Sequence, residues 1–214
     1  MQPAFTIKEA VSYGWKRTLE HLGFMAVLTL SLFVITAILN KLGHGPAFGL
    51  LYKVVNIAVS YFAMFTFVRV GLQIHRGEKP LAKNIFEFSW ETFGFYVIAS
   101  LITMVITGIG YALLIIPGIY LTIRLAFYSF ALVEGNLKPT DALGESWNLT
   151  RRRFWPLFGF TIIIFLINLA GVIAFGIGLL VTAPLCLFAS IYVYDKLKAA
   201  QSLVALKKEE ISVS

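Results

Sequence analysis

Residues 154–194 read FWPLFGFTIIIFLINLAGVIAFGIGLLVTAPLCLFASIYVY, 41 consecutive positions without a charged side chain. About 20 apolar residues let one helix cross roughly 30 Å of hydrocarbon. The stretch therefore predicts two spans, turned at Gly176-Ile177-Gly178. The same arithmetic extends outward. Residues 93–123 and 125–133, parted only by Arg124, make a second stretch of 41 positions and a second pair of spans. Residues 22–39 and 54–68, with their flanks, supply a third pair. The expectation is an all-α integral membrane protein with six transmembrane helices. Composition agrees, with 58% hydrophobic and 14% charged residues against roughly 45–50% and about 25% in soluble domains. A cleaved signal peptide is the rival for the first block. Its leader would run to 21 residues, and no small-x-small site follows at 35–41. The one cysteine, Cys186, excludes an intrachain disulfide and reads as a packing residue.

The charges alternate with the spans. Fifteen of the 18 basic residues fall on one side, only Lys41 and Lys53 on the other, and Arg124 within a span; all 11 acidic residues join the fifteen. Basic residues in short loops stay cytoplasmic, which predicts both termini inside. The net charge of +7 is then topology and attraction to anionic phospholipid headgroups at the cytoplasmic face, not a nucleic-acid footprint.

An internal similarity organises the chain. TIKEAVSYGWKRT (6–18) and KPTDALGESWNLT (138–150) superpose Trp15 on Trp147, Ala10 on Ala142 and Thr18 on Thr150. A weaker third copy ends at Phe88-Ser89-Trp90. Each copy precedes a pair of apolar blocks, giving three units of an interfacial helix plus a transmembrane hairpin at 1–76, 77–134 and 135–196. Residues 197–214 form a cytoplasmic tail. Ile7, Ala10, Val11, Gly14, Trp15 and Thr18 recur at helical steps, Thr6 and Glu9 have capping-box spacing, and Pro80 and Pro139 suit a first turn. The expectation is three helices, near 6–20, 80–91 and 139–150, lying in the headgroup plane with Trp15, Trp90 and Trp147 turned toward the bundle.

Residues 116–160, IPGIYLTIRLAFYSFALVEGNLKPTDALGESWNLTRRRFWPLFGF, carry a family resemblance. Pro117, Gly118, Arg124, Glu134, Gly135, Ala142, Leu143, Ser146, Trp147 and Arg151 to Arg153 match its signature. The stretch resembles the glycerophosphoryl diester phosphodiesterase membrane-domain family and related bacterial six-span proteins of the YciC type. The resemblance implies a multi-pass protein of the bacterial cytoplasmic membrane. It carries no catalytic residues here, because no soluble phosphodiesterase domain accompanies the spans.

Arg124 stands out chemically. A centrally placed arginine costs at least about 2.5–3.5 kcal/mol to insert and marks a functional site by default. Asn56, Ser60, Thr122, Ser129, Asn168 and carbonyls near Pro117 are its expected hydrogen-bond partners; an anion or lipid phosphate would serve as well. Arg151, Arg152 and Arg153 beside Phe154 and Trp155 predict a headgroup anchor. Pro117 and Gly118 predict a helix break or hairpin turn. His21, His44 and His75 lack metal-ligand spacing, and no paired carboxylates, nucleophile elbow or phosphate-binding loop occurs. No catalytic, cofactor or metal role is expected.

These features predict a non-enzymatic bilayer protein engaged in lipid handling, envelope integrity or service as a membrane-embedded partner, either as a homo-oligomer or with another membrane protein. The alternative is a channel or transporter for a small anion or amphiphile with Arg124 in its path. A water-filled cavity reaching Arg124 would favour that alternative; a packed interior favours the first.

Overall fold

The computed structural model describes residues 4–42, 49–79, 88–151, 153–174 and 176–213. Among them the chain is helical throughout: α1 (Ile7–Glu20), α2 (Leu22–Leu42), α3 (Gly49–His75), α4 (Trp90–Leu113), α5 (Ile115–Arg124), α6 (Tyr128–Gly135), α7 (Pro139–Thr150), α8 (Phe154–Ile173) and α9 (Leu179–Val213). Six stretches are long and apolar enough to cross a membrane: α2, α3, α4, α5 with α6, α8 and the first part of α9. They form three hairpins, and in each the second arm is the more buried: 33% against 12%, 44% against 22%, and 50% against 17%. The second arms gather at the centre. α3 packs on α6 and on α9, and Tyr194 of α9 meets Phe127 and Phe130 at ring separations of 6.3 and 5.8 Å. The first arms α2, α4 and α8 lie outside and turn apolar side chains such as Phe33, Met104 and Phe165 outward.

Two hairpins close through paired glycines. A Cβ on Gly110 would stand 2.7 Å from Leu121 and 3.1 Å from the Gly118 backbone; one on Gly178 would stand 2.7 Å from Gly171. Side chains there would hold the arms apart, which is why Gly118 is needed although it does not make the turn. The turn falls at Leu114, whose backbone is extended, and Pro117 sits in the first turn of α5, where its missing N–H is harmless. The other turn does fall at Gly176–Gly178, with Gly176 at φ +75°.

The short helices carry the similarity seen in sequence. Thr6 caps α1 by accepting from the Glu9 N–H at 3.2 Å, and Pro139 opens α7. α1 buries Ala10, Gly14 and Thr18; α7 buries Ala142, Ser146, Leu149 and Thr150. The expected inward tryptophans are corrected: Trp15 is 49% and Trp90 76% exposed, and Trp147 lies at the margin with 36%. Close helix approach explains the reversal. Gly14 lies so near α9 that a Cβ would be 2.5 Å from the Leu185 carbonyl and 3.0 Å from the Ala189 nitrogen. Only small residues fit such a seam, so the indole is displaced to the outer face. α7 packs on α6, α4, α5 and α9. Most of the expected helix at 80–91, with Pro80, lies outside the described residues; Ser89 is extended and Trp90 begins α4 itself.

Candidate functional site

Polar side chains concentrate at the end of the bundle that carries both termini. The break between α5 and α6 organises one group. Residues 125–127 leave the α-helix, so the Arg124 carbonyl and the Phe127 N–H need other partners. α7 supplies them. The Ser146 hydroxyl donates to the Arg124 carbonyl at 2.9 Å and accepts from the Phe127 N–H at 3.1 Å. The Thr150 hydroxyl shares its one proton between the Ser146 carbonyl at 2.9 Å and the same Arg124 carbonyl at 3.2 Å.

The Arg124 side chain is 6% exposed. Its Nη2 donates to the Tyr120 hydroxyl at 2.7 Å and to the Arg151 carbonyl at 3.0 Å. The guanidinium carbon lies 4.9 Å from the Tyr120 ring centre and 5.1 Å from that of Trp147. Nε and Nη1 have no hydrogen-bond acceptor among the described residues; the two rings lie beside that cation instead. The partners expected from sequence are replaced. Thr122 donates to the Gly118 carbonyl, Ser60 to that of Asn56 and Asn168 to that of Ile164, each completing its own helix turn. Arg151 is exposed, and burial holds the Arg153 guanidinium below its ordinary pKa. Arg152 lies outside the described residues.

A second group ties the three central arms together. Glu134, at the end of α6, accepts from the Tyr194 hydroxyl at 2.8 Å and from Lys198 Nζ at 2.6 Å, and pairs with Arg76, just beyond α3, at 3.2 Å. One carboxylate thus joins three helices. Beside it runs a hydrogen-bonded chain. Arg17 Nε donates to the Tyr13 hydroxyl at 3.1 Å, and that hydroxyl lies 2.7 Å from His75 Nδ1, to which it donates when the imidazole is neutral with its proton on Nε2. His75 Nε2 bonds the Asp195 carboxylate, an acceptor that calls for a proton on that nitrogen. The Tyr13 hydroxyl raises the pKa of Arg17 above its ordinary value. Neither network was anticipated from sequence. Glu134 figured there only as part of a motif and His75 only as a scattered histidine.

The third feature is a crevice between α3, α4 and α6. At the charged end it opens into a cavity of about 580 Å³, lined by Arg69 and Gln73 of α3, Arg76 and Glu78 just beyond it, Thr92 of α4, and Glu134 and Asn136 at the end of α6. Arg69, Gln73 and Arg76 stand four and three residues apart, one face of a helix. That spacing was legible, but sequence counted these arginines only as topology signals. Asn136 adopts the left-handed conformation that ends α6 (φ 47°) and bonds Thr92. Phe65 and Phe88 complete the wall, and Phe65 meets Phe88, Phe93 and Tyr96 at 5.4–5.5 Å between ring centres.

Farther along the same arms lies a cavity of about 480 Å³, bordered by Ser60, Tyr61, Met64, Tyr96, Ser100, Thr103, Met104, Thr107, Ala126, Tyr128 and Ser129. Five of its hydroxyls are spent internally. Ser60, Ser100, Thr103 and Thr107 each donate to the carbonyl four residues earlier, and Ser100 also meets the Tyr128 hydroxyl at 2.9 Å. What Ser60, Ser100, Thr103 and Thr107 have left to present is largely hydrocarbon, while Tyr61, Tyr96 and Ser129 add hydroxyls to the wall.

No curated protein and no solved structure matches the chain. A family profile described as a domain of unknown function, DUF7847, does match, over residues 21–213. That match takes in all six candidate spans and all but the first short helix of the fold, so the chain belongs to the DUF7847 family.

Proposed function

We propose that this protein is a multi-pass membrane protein that holds a phospholipid, without chemistry on it, in the crevice between α3, α4 and α6. One observation carries the reading: a polar, arginine-bearing cavity at the charged end lies on the same three helices as a second cavity, where Ser60, Ser100, Thr103 and Thr107 are bonded to carbonyls of their own helices. A ligand matching both is an amphiphile, polar at one end and apolar along its length. The outward apolar faces of α2, α4 and α8 support immersion in lipid, since a soluble monomer rarely exposes so much apolar surface. The basic bias of the loops supports an orientation with the Glu134 end in the cytoplasm. The resemblance of residues 116–160 extends this to the bacterial cytoplasmic membrane.

Three helix-plus-hairpin units form the frame. Supporting this are the small-residue stripes of α1 and α7 at equivalent positions, the paired glycines of two hairpins and the inner placement of every second arm. A conduction path through Arg124 is less well supported, because Tyr120 and Trp147 enclose its guanidinium.

Native mass spectrometry of the detergent-purified chain tests the proposal. The expected result is phospholipid that survives extended detergent exchange on the parent and is depleted by Thr103→Phe, which fills the apolar cavity. Equal delipidation of parent and variant would sink it.

A further inference from the structure

A further cavity, of about 450 Å³, lies between α3, the α5–α6 arm, α8 and α9. Its wall is chiefly hydrocarbon and rings, among them Phe67, Phe130, Phe160, Ile164 and Leu187. We infer that it seats the second acyl chain of the phospholipid whose first chain occupies the cavity between α3, α4 and α6. The ligand class is then a two-chain lipid that straddles the first turn of α6. This inference rests on the lipid-binding reading above and specifies the number of chains.

The two cavities share part of their walls. Met64, Ala126 and Ser129 border both. Along α3, Ser60 and Tyr61 border the first cavity, Phe67 and Val68 the second, and Met64 both, so one groove runs for roughly 12 Å of helix. Opposite it, Tyr128 borders the first cavity, Phe130 the second and Ser129 both. The first turn of α6 is therefore the divide. The break at 125–127 leaves the passage open, because Ala126 stands exposed there with only a methyl group to fill it. Met64 is 54% exposed, and its flexible thioether adapts to a neighbouring chain.

Three polar side chains of the second wall are bonded within the protein. Thr161 donates to the Leu157 carbonyl at 2.9 Å and Ser190 to the Cys186 carbonyl at 2.7 Å. The Asn168 amide donates to the Ile164 carbonyl and to the Cys186 sulfur, each at 3.1 Å. What this wall offers a ligand is mainly van der Waals contact. A pair of cavities meeting at one junction matches a molecule that itself forks into two chains. A chain that leaves the cavity returns to lipid or detergent, so packing alone is at stake and the expected effect is moderate.

The test uses the full chain in detergent, loaded with phosphatidylethanolamine and phosphatidylglycerol or with their one-chain lyso forms, and read by native mass spectrometry. The parent should hold one two-chain lipid molecule through detergent exchange. Ser190→Leu fills the second cavity from α9 and should lower that retention about three- to tenfold, as Thr103→Phe does from the first. A lysolipid still has one cavity in either single variant and should be lost only from the double variant. Thr161→Phe fills the second cavity from α8 and decides if circular dichroism shows Ser190→Leu unfolded. Unchanged two-chain retention in the folded second-cavity variant, while Thr103→Phe still depletes it, overturns the inference and leaves lipid binding standing. So does loss of lysolipid from either single variant, or two phospholipids on the parent with one lost in each variant. If Thr103→Phe holds lipid as the parent does, the reading beneath falls and the inference with it.

Discussion

Replacing Ser146 by alanine should destabilise the fold out of proportion to the one oxygen lost. Ser146 is fully buried, and its hydroxyl is donor to the Arg124 carbonyl and acceptor for the Phe127 N–H. Without it the carbonyl keeps the Thr150 hydroxyl at 3.2 Å, whereas the Phe127 N–H has no other acceptor among the described residues. An orphaned buried donor costs about 1–3 kcal/mol; the better helix propensity of alanine returns about 0.5 kcal/mol. Ser146→Ala should therefore cost about 0.5–2.5 kcal/mol. Thr150→Val should cost less, about 0.5–1 kcal/mol, because Ser146 still serves the carbonyl. The double variant strips the Arg124 carbonyl of both hydroxyls and should exceed the sum of the singles by about 1 kcal/mol. Reversible unfolding of micelle-bound protein by SDS, followed by circular dichroism, measures all four species. A Ser146→Ala cost below about 0.5 kcal/mol, or strict additivity, would refute the view that α7 is the cap of the α5–α6 break.

Arg124→Lys keeps the charge but loses the planar group between Tyr120 and Trp147; it should lower stability by about 1–2 kcal/mol in the same assay. Arg124→Leu should retain phospholipid at the parent's level in native mass spectrometry, and a folded variant that loses it would return Arg124 to the binding site. Gly14→Leu should detach α1, because its Cβ would meet backbone at Leu185 and Ala189. New proteolysis within residues 4–21 would show the detachment, and Gly159→Ala, whose nearest neighbour is the end of the flexible Ile7 side chain at 3.4 Å, should leave protection unchanged. Reporters active only in the cytoplasm should work when fused after Gly77, Gly135 or Ser214 and fail after Gly43; the opposite pattern would invert the proposed orientation.

Much of the candidate site was written in residues whose roles could not be read in isolation. Arg69, Gln73 and Arg76 announce a common face by their spacing, yet nothing local says whether that face meets water, lipid or a cavity. Glu134 and Lys198 are 64 residues apart, and His75 and Asp195 are 120 apart. Such pairs form only where separate helices end side by side. Tryptophan misled because a large amphipathic ring marks an interface by chemistry but cannot occupy a seam where backbones nearly touch.

By itself the sequence determined the helical class, the number of apolar stretches long enough to cross a membrane and the pairing of these into hairpins. One uncharged run of 41 residues and a second broken only by Arg124 admit no economical alternative, and the turn glycines of the first are local signals. It also marked Ala10, Gly14 and Thr18 as counterparts of Ala142, Ser146 and Thr150. Tertiary structure alone decided which arm of each hairpin lies inside, that the fourth span breaks at residues 125–127, and that α7 bridges the break. It also decided that Arg124 is enclosed by rings and a carbonyl while Arg69 and Arg76 face a cavity. The physical reason is that hydropathy is summed along a helix, whereas burial, hydrogen-bond satisfaction and cavity shape depend on which helices stand next to it.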